Sequence, residues 1–327
     1  MNRYSVIATI GPATESALLR RSLIRAGADA FRLNTSHMSV GAVLSTLEEL
    51  SQIRSDVPVV LDLQGSKWRL GEFPEVALAS GDTVTLVHGA ESRGTTVLPV
   101  PHGDFFRAVR DCPGGDCPGE IRLNDGRVVL QVESVLDERV RCTVRTGGTL
   151  SARKGLTVPG TPARAESLGD RDEEILRKTR GAEQVAFAFS YVRDAGEMKT
   201  FREIVDGANR IIAKIERASA VSDAPAIATA ADEVWLCRGD LGAELGPAEM
   251  ARTVHRFSRS VRDLASPCLL AGQVLEHMTV SSRATRSELT VIYDALQAGY
   301  AGFVLSDETA TGAYPVESCR TAALFRE

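Results

Sequence analysis

Residues 211–216 read Ile-Ile-Ala-Lys-Ile-Glu, and residues 236–242 read Leu-Cys-Arg-Gly-Asp-Leu-Gly. Each is an apolar run of the kind that forms a buried strand, and each ends abruptly in charge. Lys214, Glu216 and Asp240 thus fall where a strand leaves the core and meets solvent. A surface ion pair would read the same way. A lysine between two carboxylates able to hold a metal also suits chemistry on an anionic, phosphorylated substrate.

Working outward, short β-rich apolar segments recur, each followed by a helical pattern. They are Ser5–Thr9, Ala30–Leu33, Val57–Leu61, Val185–Phe189, Arg210–Ile215, Glu233–Cys237, Cys268–Ala271 and Gly302–Leu305. Val40–Ile53 carries Val43, Leu44, Leu47, Leu50 and Ile53 at three-to-four spacing, a helix. Eight alternating βα units predict an α/β fold, a parallel (β/α)8 TIM-type barrel. The rhythm breaks between residues 70 and 158, where Gly and Pro are dense and helical periodicity is poor. Short strands are expected there at Thr83–Val87, Val128–Val132 and Val140–Val144. The expected organisation is a barrel of residues 1–69 and 159–327, with residues 70–158 inserted after the third strand as a small β-barrel lid domain.

Barrels of this type place their active sites at the C-terminal ends of the strands. The polar residues that stand out fall there: Arg32 and Asn34, Asp62 and Arg69, Ser190 and Arg193, Lys214 and Glu216, Asp240, Gln273, Ser306 and Glu308. Random surface charge would not choose the same strand end each time.

Bulk composition agrees with a soluble enzyme. The chain has 327 residues, 43% hydrophobic and 25% charged, with a net charge of −5. Basic residues are scattered and not striped, which argues against a nucleic-acid partner. No apolar run reaches membrane-spanning length, and the N-terminus lacks a signal-peptide core. Six dispersed cysteines suit reduced thiols in a cytoplasm. Cys112 and Cys117 read as part of a tight turn, because no His pair completes a zinc site.

Further motifs follow in order: Thr9-Ile10-Gly11-Pro12-Ala13-Thr14, Arg32-Leu33-Asn34-Thr35-Ser36-His37, Leu61-Asp62 through Arg69, Asn124-Asp125-Gly126, Arg153-Lys154-Gly155, Leu305-Ser306-Asp307-Glu308-Thr309-Ala310 and Tyr314-Pro315-Val316-Glu317. Together with the two opening segments, this series resembles the pyruvate kinase family from residue 4 to about residue 323. The resemblance implies phosphoryl transfer between phosphoenolpyruvate and ADP, giving pyruvate and ATP. Glu216 and Asp240 would hold Mg²⁺ or Mn²⁺ through hard oxygen ligands. Lys214 would stabilise the phosphoryl group and the enolate, and Arg32 would grip phosphoryl oxygens. Ser190, Gly239, Asp240, Gly272 and Gln273 would line the substrate site, with the backbone amides of Arg238-Gly239-Asp240 seating a carboxylate. Ser306 and Glu308 would organise a water for proton delivery. Asn34, His37, Arg69, Lys154 and Asp125 would meet the nucleotide.

Three departures from the family pattern stand out. Potassium-requiring members carry a glutamate where Lys67 stands in Asp62-Leu63-Gln64-Gly65-Ser66-Lys67-Trp68-Arg69. The segment resembles the potassium-independent branch, with the tethered ammonium in place of a monovalent ion, so K⁺ is not expected. Gly272 stands where the family has a threonine tied to enolate protonation, which implies slow ketonisation or room for a larger substrate. The sequence stops after the eighth barrel helix, whereas family members continue into a C-terminal regulatory domain with a sugar-phosphate effector site. A homodimer through the barrel domain stays open without it. Two other readings are carried: a metal-dependent enolate enzyme of aldolase or lyase type acting on pyruvate or a related 2-oxo acid, and a non-catalytic phosphoenolpyruvate sensor. Intact Arg69, Lys154 and Asp125 argue against the first, and intact Lys214, Glu216 and Asp240 against the second.

Overall fold

The computed structural model describes residues 4–111, 119–159, 168–207 and 209–326. Cys112 and Cys117, expected in a tight turn, lie outside the described residues. The chain divides into two compact units. The first comprises Met1–Gly65, Leu168–Gly239 and Arg252–Glu327, and the second Ser66–Ser167 and Asp240–Ala251.

In the first unit eight parallel strands close on themselves: Ser5–Ile10, Ala30–Asn34, Val59–Leu63, Val185–Phe189, Arg210–Ile215, Glu233–Cys237, Cys268–Ala271 and Gly302–Leu305. Each lies beside the next in chain order, and the eighth pairs with the first, Ser5 opposite Gly302. This is the expected TIM-type barrel. The third strand starts two residues later than Val57. Pro58 has no N–H to give the ladder, so pairing begins with Val59 donating to the Gln184 carbonyl at 2.7 Å. The helix Val40–Ile53 forms as expected, with the Ser39 side chain accepting the Ala42 N–H and with Val43, Leu47 and Leu50 buried.

The strand period of two sets the chemistry of the barrel interior. Ile7, Ala30, Val60, Ala188 and Ile212 pack with Trp235 in one buried cluster. Two residues further along, side chains point the same way. Those residues are Thr9, Arg32, Asp62, Ser190 and Lys214. One alternation therefore both packs the barrel and carries a row of polar groups to its C-terminal strand ends.

The second unit holds a seven-stranded sheet in the order Trp68–Arg69, Gly155–Thr157, Glu120–Leu123, Val128–Leu136, Arg139–Thr146, Thr83–His88 and Val97–Val100. A two-stranded sheet pairs Gly148–Leu150 with Val76–Leu78. Its separate core includes Trp68, Leu86, Phe105, Ile121, Leu130 and Val140. The helix Gly103–Arg110, which the sequence reading did not anticipate, contributes Phe105, Phe106 and Val109 to that core. Among the described residues no helix is long and apolar enough to cross a membrane.

Candidate active site

Four charged side chains converge in the first unit at the ends of the second, third and fifth barrel strands. Lys214 Nζ stands 3.0 Å from Asp62 Oδ1 and 3.0 Å from Glu216 Oε1. It also donates to Ser190 Oγ at 2.7 Å. Arg32 donates from Nε to Asp62 Oδ2 at 2.7 Å and from Nη1 to Thr9 Oγ1 at 2.9 Å. Thr9 in turn donates to the Leu305 carbonyl, tying this group to the eighth strand. The second carboxylate oxygen of Glu216 accepts the Tyr191 N–H at 2.8 Å. Tyr191 takes a left-handed φ of 61°, uncommon for a residue with a side chain, and the Arg217 guanidinium lies over its ring.

Asp62 and Glu216 are each only 2% exposed, so their charges must be matched locally. Two cations and two anions achieve this. Burial by itself would push the Asp62 carboxyl up, but Lys214 and Arg32 override it and hold the group below the usual carboxylate range. Burial likewise opposes the Lys214 charge, and Asp62 and Glu216 outweigh it, raising that ammonium's pKa. The Cys237 thiol faces the same cluster, and burial pushes its pKa well up, keeping it a neutral neighbour.

Asp62 and Thr9 were legible at strand ends or in motifs, but no role was attached to either. The signal was the strand parity. Asp172 carried no local signal at all. From the helix Asp170–Thr179 its two oxygens accept the N–H groups of Gln64 (3.2 Å) and Gly65 (2.9 Å), pinning the chain as it leaves the third strand. Neighbouring Arg171 donates to Gln64 Oε1 at 2.9 Å and to the Ser36 carbonyl at 3.2 Å. Asp172→Asn is expected to destabilise the protein by about 1–3 kcal/mol, because an amide nitrogen would face a backbone N–H and leave a buried donor unpaired. Urea denaturation measures this, and an unchanged midpoint would refute it.

At the seventh strand the Arg238 guanidinium donates to the Gly272 carbonyl from Nε (2.9 Å) and Nη2 (2.6 Å), and to the Gln273 carbonyl at 3.0 Å. Arg238 was read only for its backbone amide, yet its side chain shapes this turn. Gly272 and Gln273 are both left-handed, with φ of 85° and 54°. A Cβ on Gly272 would stand 3.1 Å from the Gly239 nitrogen. A threonine there would be strained by the backbone and would press on an amide expected to seat the substrate carboxylate. The Cβ position of Gly239 itself is open.

Glu308, expected to organise a water, is fully buried. Its oxygens accept the N–H groups of Leu275 (2.9 Å) and Ser306 (2.6 Å), and burial raises its pKa. It brackets the exits of the seventh and eighth strands. Asn34 caps the following turn by accepting the Ser36 N–H at 3.3 Å. His37 lies in that turn, and its side chain falls outside the description.

The second unit holds Lys67, Arg69, Asp125, Lys154 and Asp240. The Lys67 ammonium pairs with Asp240 Oδ1 and stands 3.1 Å from Asp125 Oδ1. Burial opposes its charge, and the two carboxylates more than compensate, raising its pKa. Asp240 lies in the first turn of the helix Arg238–Leu245 and Asp125 sits in a left-handed turn. At the other end of that helix Arg122 donates to the carbonyls of Ala243 (2.8 Å) and Glu244 (3.2 Å), a C-terminal cap. Arg69 donates to the Arg153 carbonyl at 2.9 Å, and the carbonyl of half-buried Lys154 accepts the Leu70 N–H.

Residues 1–319 match the family described as pyruvate kinase, barrel domain. A pyruvate kinase of Agrobacterium vitis is 37% identical over 328 residues, covering 97% of this chain and 66% of that protein. One of Mycobacterium tuberculosis is 34% identical over 330 residues, covering 98% of this chain and 68% of that protein. The crystal structure of a pyruvate kinase from Cryptosporidium parvum superposes with a TM-score of 0.82 at 25% identity, over 98% of this chain and 68% of that one. The chain spans about two thirds of the length of the curated relatives it matches. A closed parallel barrel, a second β-rich unit and these matches lead to one conclusion: the chain belongs to the pyruvate kinase family.

Proposed function

We propose that the protein is a magnesium-dependent phosphotransferase that moves a phosphoryl group between phosphoenolpyruvate and a nucleoside diphosphate, giving pyruvate and the nucleoside triphosphate. The observation that carries this reading is the Lys214 ammonium held among Asp62, Glu216 and Ser190 with Arg32 beside it. Such a preorganised pair of cations supports charge development on a transferring phosphoryl group. Asp62 binds no substrate in this reading; it orients Arg32 and Lys214 together. Arg32 grips phosphoryl oxygens, and Lys214 stays charged to meet the phosphoryl group and the enolate oxygen. Gly239, Asp240, Gly272, Gln273 and Ser190 receive the enolpyruvate, while Asn34, His37, Arg69, Lys154 and Asp125 receive the nucleotide. Ser306 and Glu308 support the turn at the eighth strand, and Glu308 acts as a positioning residue.

The donor chemistry fits a hard divalent ion, since Glu216 and Asp240 offer carboxylate oxygens and each is matched to an ammonium, Lys214 and Lys67 respectively. Among the described residues no group of three or more His, Cys, Asp or Glu side chains gathers as a self-sufficient metal cage. When bound by Glu216 and Asp240, magnesium supplies Lewis-acid neutralisation of substrate oxygens. Lys67 serves as a tethered cation, so turnover needs no added K⁺.

Glu216→Gln is expected to lower Mg²⁺-dependent turnover by about 10²–10³-fold. The fold should persist at some cost in stability: the amide oxygen can still accept the Tyr191 N–H and Lys214 keeps Asp62 and Ser190, but the amide nitrogen would face the ammonium. Proton NMR of pyruvate formation from phosphoenolpyruvate, Mg²⁺ and ADP measures the loss, and circular dichroism checks the fold. A folded variant with wild-type Mg²⁺ dependence would remove Glu216 from the metal site.

A further inference from the structure

Gly155 pairs with Arg69 across an antiparallel strand pair, and Leu156 pairs with Trp68. Continuing that register, Lys67 lies on the same face as Gly155, one step along the diagonal. A Cβ built on Gly155 would stand 2.1 Å from Lys67 Cε, 2.7 Å from its Nζ and 3.2 Å from its Cδ. All three nearest atoms belong to one lysine. Gly155 is not among the residues of positive φ, so its backbone does not itself call for glycine. The space that a side chain would fill is taken by the end of Lys67. Gly155 also holds the neighbouring turn, because its carbonyl accepts the Asn124 N–H at 3.1 Å, next to Asp125. Beyond the slot, the ammonium reaches Asp125 and Asp240.

We propose that Gly155 is a positioning residue whose missing side chain is the slot that lets Lys67 reach Asp125 and Asp240, and that this slot makes the enzyme independent of added monovalent cation. The proposal rests on the reading of Lys67 as a tethered cation and adds the element that aims it. A methyl group at 155 drives the flexible end of the lysine aside, since its nearest contacts are all Lys67 side-chain atoms, and opens a place for a free ion between the two carboxylates.

Gly155→Ala, Lys67→Met and the double variant are compared with wild type in KCl and in tetramethylammonium chloride at equal ionic strength. Gly155→Ala is expected to fold, to lose about 10²-fold in turnover without potassium, as for a catalytic group displaced by about an ångström, and to regain it in KCl. Its thermal midpoint should rise in KCl over tetramethylammonium chloride, a readout of ion binding independent of turnover. In the Lys67→Met background, Gly155→Ala should add no further loss of turnover, because the ammonium that the slot aims is already gone and the uncharged methionine end can turn aside. A folded Gly155→Ala that is as indifferent to potassium as wild type, or one whose loss persists in full on top of Lys67→Met, overturns the proposal. If wild type itself needs potassium, the tethered-cation reading fails. If Lys67→Met needs potassium and Gly155→Ala does not, that reading stands and only the slot is wrong.

Discussion

Lys214→Met is expected to lower phosphoryl transfer from phosphoenolpyruvate by on the order of 10³-fold, the range for deleting a preorganised cation at a transferring phosphoryl group. Methionine matches the lysine stem in length but brings no charge. The loss should appear in kcat more than in KM, because the ammonium acts on charge that develops during the reaction. Exchange of pyruvate methyl protons into D₂O should fall as well, since in the proposed reaction the same ammonium would face the enolate. A stability cost accompanies it. Asp62 keeps Arg32, but Glu216 loses its ammonium at 3.0 Å while 2% exposed. Breaking a buried pair in this way costs about 3–5 kcal/mol. Single-turnover kinetics at saturating Mg²⁺, paired with urea denaturation, separates the two effects. A folded Lys214→Met that keeps turnover within about tenfold of wild type would end the proposed role.

The barrel was legible because a buried parallel strand is a short apolar run and a crossover helix has its own period. Seven of the eight strands begin where the apolar pattern begins. The third is displaced by Pro58, a reminder that hydrogen-bond supply and not hydrophobicity decides where a ladder starts. The helix Gly103–Arg110 was missed because it is short and its buried residues, Phe105, Phe106 and Val109, mimic a strand-rich core as readily as a helical stripe. In the site, Lys214 and Glu216 showed as charge at the end of an apolar run. Asp62 showed too, but its role depends on Arg32 and Lys214 meeting from two other strands. Asp172 contacts Gln64 across 108 residues, a proximity that no local pattern encodes. Glu308 had the right residue type at the right strand end, yet only packing reveals that both its oxygens are taken by backbone N–H groups.

Lys67→Glu is expected to convert the protein into a potassium-dependent enzyme. The substitution exchanges an ammonium for a third carboxylate beside Asp125 and Asp240. Asp125 is about half exposed, so water and salt screen its share of the repulsion. Asp240 is only 15% exposed at its side chain, and the cost concentrates there. Like charges at this range push one carboxyl toward protonation, and a proton on Asp240 would disable it in its proposed role of metal ligand. Without a monovalent cation, turnover should therefore fall by about 10²–10³-fold, as for loss of one electrostatic contact at the reacting centre. Potassium chloride, and not tetramethylammonium chloride, should restore most of it, since a small cation can occupy the place among three oxygens and a bulky one cannot. Wild type should turn over equally in both salts. If Lys67→Glu is indifferent to potassium while folded, or if wild type is strongly activated by it, Lys67 is an ordinary ion-pair partner of Asp240 and the monovalent site lies elsewhere.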